Sequence, residues 1–492
     1  MAVSFLNKLF RRKNPAPEQT VISFYNTLSG NKENFTPIKR GTVSLYHCGP
    51  TVYNYQHIGN YRAYIFADLL KRLFLRAGFS VKQIINITDV GHLTSDADEG
   101  TDKMEEGARR EHKSPAEIAK IYTDDFLENL TALNIDLSGT LFPRASEHVG
   151  EQIAFIKTLE EKGYTYQTSD GVYYDTSRFP DYGKLGHIDL KGLQEGTRVE
   201  ANPEKRHPTD FALWKFSKKD EKRKQEWESP WGTGFPGWHI ECSAMSSKYL
   251  GHHFDIHTGG IDHIPTHHQN EIAQSEAAFG KKSVNYWLHV AHLMIDGKKI
   301  SKSLGNVILP KHVSDKTIPL LSYRYWLLTA HYRTQTNFTW EALEGAKTAF
   351  LKLQRYFVDE LGKKKGVISK SYRTEFDTAI HDDLDTPKAI AVLWKLVKDT
   401  TVSNTDKKAT LLDFDRVLGL NLAEAQAFVE QQTKGVSLKS IPSVIQELIE
   451  ERETARKDKD FKKSDELREK IREAGYEIID SESGPKLKKT SS

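Results

Sequence analysis

Thiols are nearly missing from this chain. Its 492 residues hold two cysteines, Cys48 and Cys242, far apart along the sequence, and the ordinary reading of such a pair is two separate buried thiols in a reducing compartment. An excess of one charge is missing too. Lys and Arg number 70 against 67 Asp and Glu, leaving +3, which excludes the bulk basicity of a non-specific nucleic-acid binder and confines any RNA contact to local patches. No apolar run approaches the ~18 residues that cross a bilayer. The first twenty residues also lack the long apolar centre of a signal peptide, so a cytoplasmic protein with no membrane partner is expected. At about 150 residues per domain, the length predicts roughly three domains.

What is present concentrates between Tyr46 and Asp68, YHCGPTVYNYQHIGNYRAYIFAD. Val43 and Leu45 lead in as a buried strand, Leu69, Leu70, Leu73 and Phe74 recur at helical spacing until Gly78, and Val81 to Ile87 forms a second apolar strand. Strand, tight turn, helix and strand make a right-handed unit of a parallel sheet, with the helix N-terminus open at the sheet's carboxyl edge. His57 and Asn60 share one face of that terminus, where backbone N–H groups and the helix dipole favour an anion such as a nucleotide phosphate. The fold class expected is α/β, a Rossmann-like parallel-sheet core.

In chain order, residues 1–20 read as a basic tail, or as a surface-binding amphipathic turn. Residues 21–133 read as the first half of the nucleotide fold, with an acid-rich solvated loop from Asp89 to Glu106. Residues 134–230 look like an insertion of short strands, in which Asp170-Gly171 signals a hairpin. Residues 231–320 resume the core, with Phe254 to His257 as a strand end. Residues 321–433 form a helical bundle, in which Leu343, Ala346, Phe350, Leu353, Phe357 and Leu361 keep helical spacing and Thr386-Pro387 starts another helix. Lys434 to Ser440 reads as a linker before a small terminal domain, 441–492. Residues 442–492 carry 12 basic and 13 acidic side chains, which reads as a solvated helical pair, with a loose tail from Lys486.

Two constellations carry chemistry. His267 and Glu271, four apart, project from one helix face. Alone they make a common surface pair, but with the two cysteines a Cys, Cys, His, Glu set becomes possible, whose thiolates and imidazole select zinc over magnesium or calcium. Four protein ligands usually close a structural site, and spacing does not decide between that and a catalytic one. Lys299-Ile300-Ser301-Lys302-Ser303, between Gly297 and Gly305, reads as a loop able to close over phosphates, with Lys302 supplying positive charge during displacement.

With these residues in view, the chain resembles a class I aminoacyl-tRNA synthetase, specifically a cysteinyl-tRNA synthetase. His57 to Asn60 resembles the HIGH signature and Lys299 to Ser303 the KMSKS signature, while Cys48 to Tyr53 (CGPTVY), Gly237 to Met245 (GWHIECSAM) and His267 to Ser275 (HHQNEIAQS) resemble stretches specific to the cysteine enzyme. The resemblance covers about Ser23 to Asp480. It implies Cys48, Cys242, His267 and Glu271 as ligands of one zinc per chain that binds the substrate thiolate. It implies Gly49, Thr88 and Trp238 around the amino acid, His57, Asn60 and Lys302 on ATP, and His57, Asn60, Lys299 and Lys302 as the catalytic set. The implied reaction joins L-cysteine and ATP, with Mg2+, into cysteinyl-adenylate and then charges cysteine tRNA. The bundle and terminal domain would hold the tRNA, and a monomer is expected.

Departures are visible: Asn60 in place of the second histidine of HIGH, Ile300 in KMSKS, Pro265-Thr266 before His267, Gln269 where an acid is common, and Val90-Gly91-His92-Leu93 in place of a familiar run of aspartates. A cysteine ligase of a small-molecule pathway and an inactive RNA-binding paralogue are the alternatives. The long region from Leu320 to Lys489 argues against the first, and retention of Lys302 and the four donors against the second.

Overall fold

A computed structural model describes residues 21–91, 102–185, 203–217, 223–301, 304–364, 366–433, 441–458, 460–479 and 485–489. The readings of residues 1–20, of most of the acid-rich loop and of the linker 434–440 lie outside the described residues, as does Lys302.

Alternating and continuous apolar runs produce strands. A short hairpin, β1 (Ser23–Asn26) and β2 (Asn31–Asn34), precedes β3 (Thr42–His47), whose Val43, Leu45, Tyr46 and His47 are all buried, as a parallel strand covered on both faces requires. Helix α1 (Ile58–Arg76) then runs back to β4 (Ser80–Ile85). The helix stops where Gly78 takes φ 87°, a left-handed conformation that a side chain disfavours. Helices α2 (Lys103–Glu111) and α3 (Pro115–Ala132) lead to β5 (Thr140–Leu141). The chain next forms α4 (Val149–Glu161) and an antiparallel sheet of β6 (Thr165–Thr168), β7 (Gly171–Tyr174), β8 (Phe211–Phe216) and β9 (Gly234–Pro236). The hairpin expected at Asp170-Gly171 joins β6 to β7 with its turn one residue earlier, at Ser169-Asp170, and Gly171 opens β7 opposite Thr168.

After α5 (Trp238–Leu250) come β10 (Phe254–Gly260), α6 (His267–Phe279) and β11 (Val284–Val290). The main sheet has the order β11-β10-β3-β4-β5, and every neighbouring pair in it is parallel. The chain therefore leaves β3 on one side and returns on the other, so the switch point falls between β3 and β10, the place where an open α/β sheet takes its ligand.

Three short strands, β12 (Leu293–Ile295), β13 (Lys298–Lys299) and β14 (Thr336–Phe338), form a small sheet, with α7 (Pro310–Asp315) and α8 (Leu320–Leu328) between the last two. The bundle follows as α9 (Trp340–Arg355), α10 (Lys370–His381), α11 (Thr386–Lys398), α12 (Asn404–Leu418) and α13 (Ala425–Thr433). The periodic run from Leu343 passes from α9 into a π-helical turn at Tyr356–Glu360. The terminal unit holds α14 (Ser443–Lys457), α15 (Phe461–Glu473), β15 (Tyr476–Ile479) and β16 (Lys486–Lys489). The loose tail expected from Lys486 is corrected here: residues 486–489 pair antiparallel with β15. A lysine-rich stretch reads as solvated, yet lysines also suit an exposed edge strand, where they discourage further pairing.

Buried guanidinium groups hold α1 in place. Arg62 donates to the backbone carbonyls of Ala291, His292, His331, Tyr332 and Thr334 at 2.6 to 3.3 Å. Arg324 of α8 pairs with Asp68 at 2.5 Å, both side chains fully buried. A buried charge without partners costs several kcal/mol, so these contacts fix α1 against its neighbouring elements.

Candidate active site and metal centre

Three elements deliver the four metal-type donors. Cys48 follows the last residue of β3, Cys242 lies in the second turn of α5, and His267 opens α6 with Glu271 one turn below it. Their donor atoms all lie within 4.8 Å of one another. His267 Nε2 is 3.0 Å from Glu271 Oε1, and Cys48 Sγ is 3.9 Å from the same oxygen. The other nitrogen of His267 faces His239 Nδ1 at 2.9 Å, and Trp238 stacks on the His267 ring at 4.2 Å, so the imidazole is oriented from two sides.

The electrostatics fit a cation. Burial alone would raise the Glu271 carboxyl, but His257 and His267 outweigh it and hold the group far below the usual carboxylate range. Burial alone would lower His267, but Glu271 and Cys242 push it up to about 10. The Cys48 hydrogen bond lowers the Cys242 thiol, while burial and the neighbouring Cys242 raise Cys48. The quartet thus shares protons that a cation would displace, and two sulfurs with an imidazole and a carboxylate suit zinc.

Cys48, Cys242 and His267 form the floor of a cleft of about 540 Å³. Its walls bring together Cys48, Gly49, His57, Asn60, Thr88, Trp238, Cys242 and His267, while Glu271 sits behind the floor. The Gly49 N–H donates to Asn86 Oδ1 at 2.8 Å, and a Cβ at Gly49 would fall 1.5 Å from the Asn86 carbonyl oxygen, so only glycine fits. At the mouth, the His57 ring accepts from the Asn60 N–H at 3.2 Å and Asn60 Oδ1 accepts from the His57 N–H at 3.0 Å, a reciprocal cap on α1. A Cβ at Gly59 would lie 2.7 Å from Ile300 Cδ1, so the two signature turns touch. Lys299 is exposed on β13 and does not line the cleft.

Sequence reading missed several groups here. Asn86 also donates to Thr88 Oγ1 at 3.1 Å, and Thr88 donates to the buried Glu241 at 3.0 Å. Behind the quartet stand His257, His268 and His289, all buried. A second quartet, Cys48, His257, His268 and Glu271, also has donor atoms within 4.8 Å. The available signal was the run of six histidines between 252 and 268, which shows no period and names no partner.

Comparison with known proteins adds the following. Residues 34–348 match the family described as tRNA synthetases class I (C) catalytic domain, and residues 439–484 match the one described as Cysteinyl-tRNA ligase anticodon binding domain. The chain is 48% identical over 467 residues to a protein of Burkholderia lata named Cysteine--tRNA ligase 1, covering 95% of this chain and 96% of that one. It is 44% identical to a Treponema denticola Cysteine--tRNA ligase, covering 94% and 98%. Among solved structures, a LeuRS–tRNA–LeuAMS complex of Agrobacterium radiobacter matches at TM-score 0.57 and 12% identity over 80% of this chain and 85% of that one. A methionyl-tRNA synthetase of Mycobacterium tuberculosis matches at TM-score 0.51 and 13% identity over 78% and 91%. At these identities the two structures speak for a shared fold alone.

Proposed function

Because this chain belongs to the cysteine–tRNA ligase family of class I aminoacyl-tRNA synthetases, we propose that it activates L-cysteine with ATP, aided by Mg2+, and then esterifies the product to cysteine tRNA. The observation that carries this is the convergence of Cys48, Cys242, His267 and Glu271, the first three lining the cleft whose mouth is the His57–Asn60 turn and the last just behind them.

Zinc, held by those four residues, would supply a soft Lewis acid for the substrate sulfur. Discrimination then follows from chemistry. Cysteine and serine differ by one atom, and a pocket relying on shape separates such isosteres by only about 10²-fold, whereas a thiol ionises on a soft metal far more readily than a hydroxyl. Gly49, held against the Asn86 backbone, lines the pocket with main chain, Trp238 walls the pocket and fixes His267, and Thr88, pinned by Asn86 and Glu241, offers a fixed oxygen.

Activation is an in-line displacement in which the cysteine carboxylate attacks the α-phosphorus of ATP and pyrophosphate leaves. The chain's part is to place and neutralise the phosphates. The N-terminus of α1 with its dipole, the His57 ring and the Asn60 amide lie at the cleft mouth, and Lys302 adds charge as the loop closes. Asn60 offers donors but never a full charge, so activation leans more on Lys302 and the helix terminus. Lys299 acts from outside the cleft, through the local potential. The bundle and the terminal unit 441–492 take the tRNA. In this reading the chain acts in the cytoplasm as a monomer.

The test is cysteine-dependent ATP–pyrophosphate exchange with metal analysis, in the parent and in Cys242→Ser. The parent is expected to hold one zinc and to exchange with cysteine but not serine. A metal-free parent that exchanges normally would reject the assignment of the quartet, and exchange without charging of tRNA would point to a small-molecule cysteine ligase.

A further inference from the structure

Sulfur at the floor of the cleft identifies one atom of a substrate and leaves its length unread. Homocysteine, the thiol amino acid with one methylene more than cysteine, ends in the same group. For the reaction proposed above, either amino acid has to reach from the floor to the N-terminus of α1, where the phosphates lie. With both ends fixed, the longer one must bow against a wall of the cleft. A wall that yields admits it, and a wall that does not rejects it.

Two rings wall the cleft beside its floor. One is Trp238, already placed against His267. The other is His263, at the end of the single helical turn Ile261–His263 that follows β10. Its side chain is 20% exposed, and its ring lies 5.1 Å from that of His267 between centroids. The imidazole is boxed in. Trp238 meets it edge to face at 5.9 Å and 85°, His268 does so at 5.0 Å and 75°, and a Cβ at Gly259 would fall 2.7 Å from its Nδ1. Hydrogen bonds do not hold it: the buried Nδ1 has no partner among the described residues, and Nε2 lies 3.8 Å from Asp262 Oδ2, beyond hydrogen-bond reach. Leaving a buried polar nitrogen unpaired costs about 1–3 kcal/mol, so stability does not explain a histidine here. Packed rings compress little, and one enclosed by two others and a strand backbone has no room to retreat when a substrate presses on it.

We propose that His263 is a specificity-determining residue: beside Trp238 it forms the fixed wall that admits the side chain of cysteine and excludes thiol amino acids one methylene longer. The floor selects sulfur, and His263 limits how far that sulfur can stand from the α-carbon. This rests on reading the cleft as the site of cysteine activation.

The experiment measures ATP–pyrophosphate exchange with L-cysteine and with L-homocysteine in the parent, in His263→Ala, which removes the ring, and in His263→Leu, which keeps bulk without nitrogens. Equilibrium dialysis of each radiolabelled amino acid without ATP is a second readout, with thermal unfolding checked beside it. The quantity read is the ratio of kcat/KM for cysteine to that for homocysteine, in which a general loss of activity cancels. A methylene too many in a fitted pocket is worth about 10- to 200-fold. The ratio should therefore fall at least about 10-fold in His263→Ala, mostly through KM for homocysteine, and stay within about 3-fold of the parent in His263→Leu. Dialysis should show homocysteine binding gained in His263→Ala alone. An unchanged ratio in folded His263→Ala overturns the proposal. So does an equal fall in His263→Leu, which would make an imidazole nitrogen the feature that counts. A parent that exchanges with homocysteine as well as with cysteine overturns it without any variant. A parent that exchanges with neither would instead reject the underlying reading of the cleft.

Discussion

The catalytic half and the terminal unit bury their side chains in opposite ways. In the first, His47, His239, His257, His267, His268 and His289 are each under 4% exposed, crowded around two sulfurs and a carboxylate. The second, from residue 441, contains no histidine, cysteine or tryptophan, and its buried cluster is Ile441, Ile445, Ile449, Ile471, Tyr476 and Ile478. Apolar side chains are a direct way to stabilise a fold, while buried imidazoles carry a desolvation cost unless they are paired. The difference teaches where chemistry is concentrated: the catalytic half accepts a costly interior because the metal-type donors need aiming, and the terminal unit, which only has to present a surface, does not.

The strongest way to break this comparison is to remove a donor. Cys242→Ser should abolish bound zinc and lower exchange by at least about 100-fold, beyond the range typical of groups behind a ligand. Metal analysis beside exchange checks it, and normal zinc with normal exchange would end the account. Deleting residues 441–492 probes the other side. The terminal cluster is separate from the main one, so the shortened chain should fold and exchange within about 2-fold of the parent. Charging of tRNA should fall about 100-fold, equivalent to roughly 2.7 kcal/mol of lost binding. Equal loss in both assays would show that the terminal unit supports the cleft itself.

Legibility in the sequence divides along the same line. Cysteines, a His and Glu four apart, and a strand–turn–helix run are readable because residue type or period signals them; the donors meet within 4.8 Å, and β3, α1 and β4 form a strand–helix–strand unit with parallel strands. His257 was visible only as a strand end, because what it does depends on Glu271 arriving from another element. Asn86 and Glu241 are likewise ordinary residues until the sheet places them beside Gly49 and Thr88. Arg62 gave no sign that it would gather five carbonyls. The KLKK stretch of β16 read as a tail because solvated tails and edge strands share a composition.

Acid should separate the two regions. Burial lowers His289, helped by His263 and His257, and burial also lowers His381. A histidine whose folded value lies below its unfolded 6.5 contributes stability that is present above pH 6.5 and is lost as pH falls toward the folded value, at about 1.4 kcal/mol per pH unit for each group. From pH 6.5 to 5 the unfolding midpoint should therefore fall. All eight tryptophans precede residue 441, so denaturant unfolding followed by tryptophan fluorescence reports these regions and not the terminal unit, whose amide exchange should show no such step. A midpoint independent of pH in this window would mean that these imidazoles are already charged and paired.

Asn60→His sharpens the contrast within the cleft. Exchange should stay level or rise up to about 3-fold from the added charge, while the lost reciprocal cap on α1 costs about 1 kcal/mol in thermal unfolding. A large loss of exchange would show that the turn is tuned around asparagine. The smallest effect belongs to the terminal surface. Arg472 lies 3.4 Å from Glu469 with the two side chains 68% and 58% exposed, and an exposed pair gains little Coulomb energy in water and gives up side-chain freedom to do so. Arg472→Ala should therefore change unfolding by less than about 0.5 kcal/mol. If it costs more than about 1 kcal/mol, the terminal unit depends on its surface charges rather than on its isoleucine cluster, and the two regions differ in which polar contacts they use rather than in whether they need them.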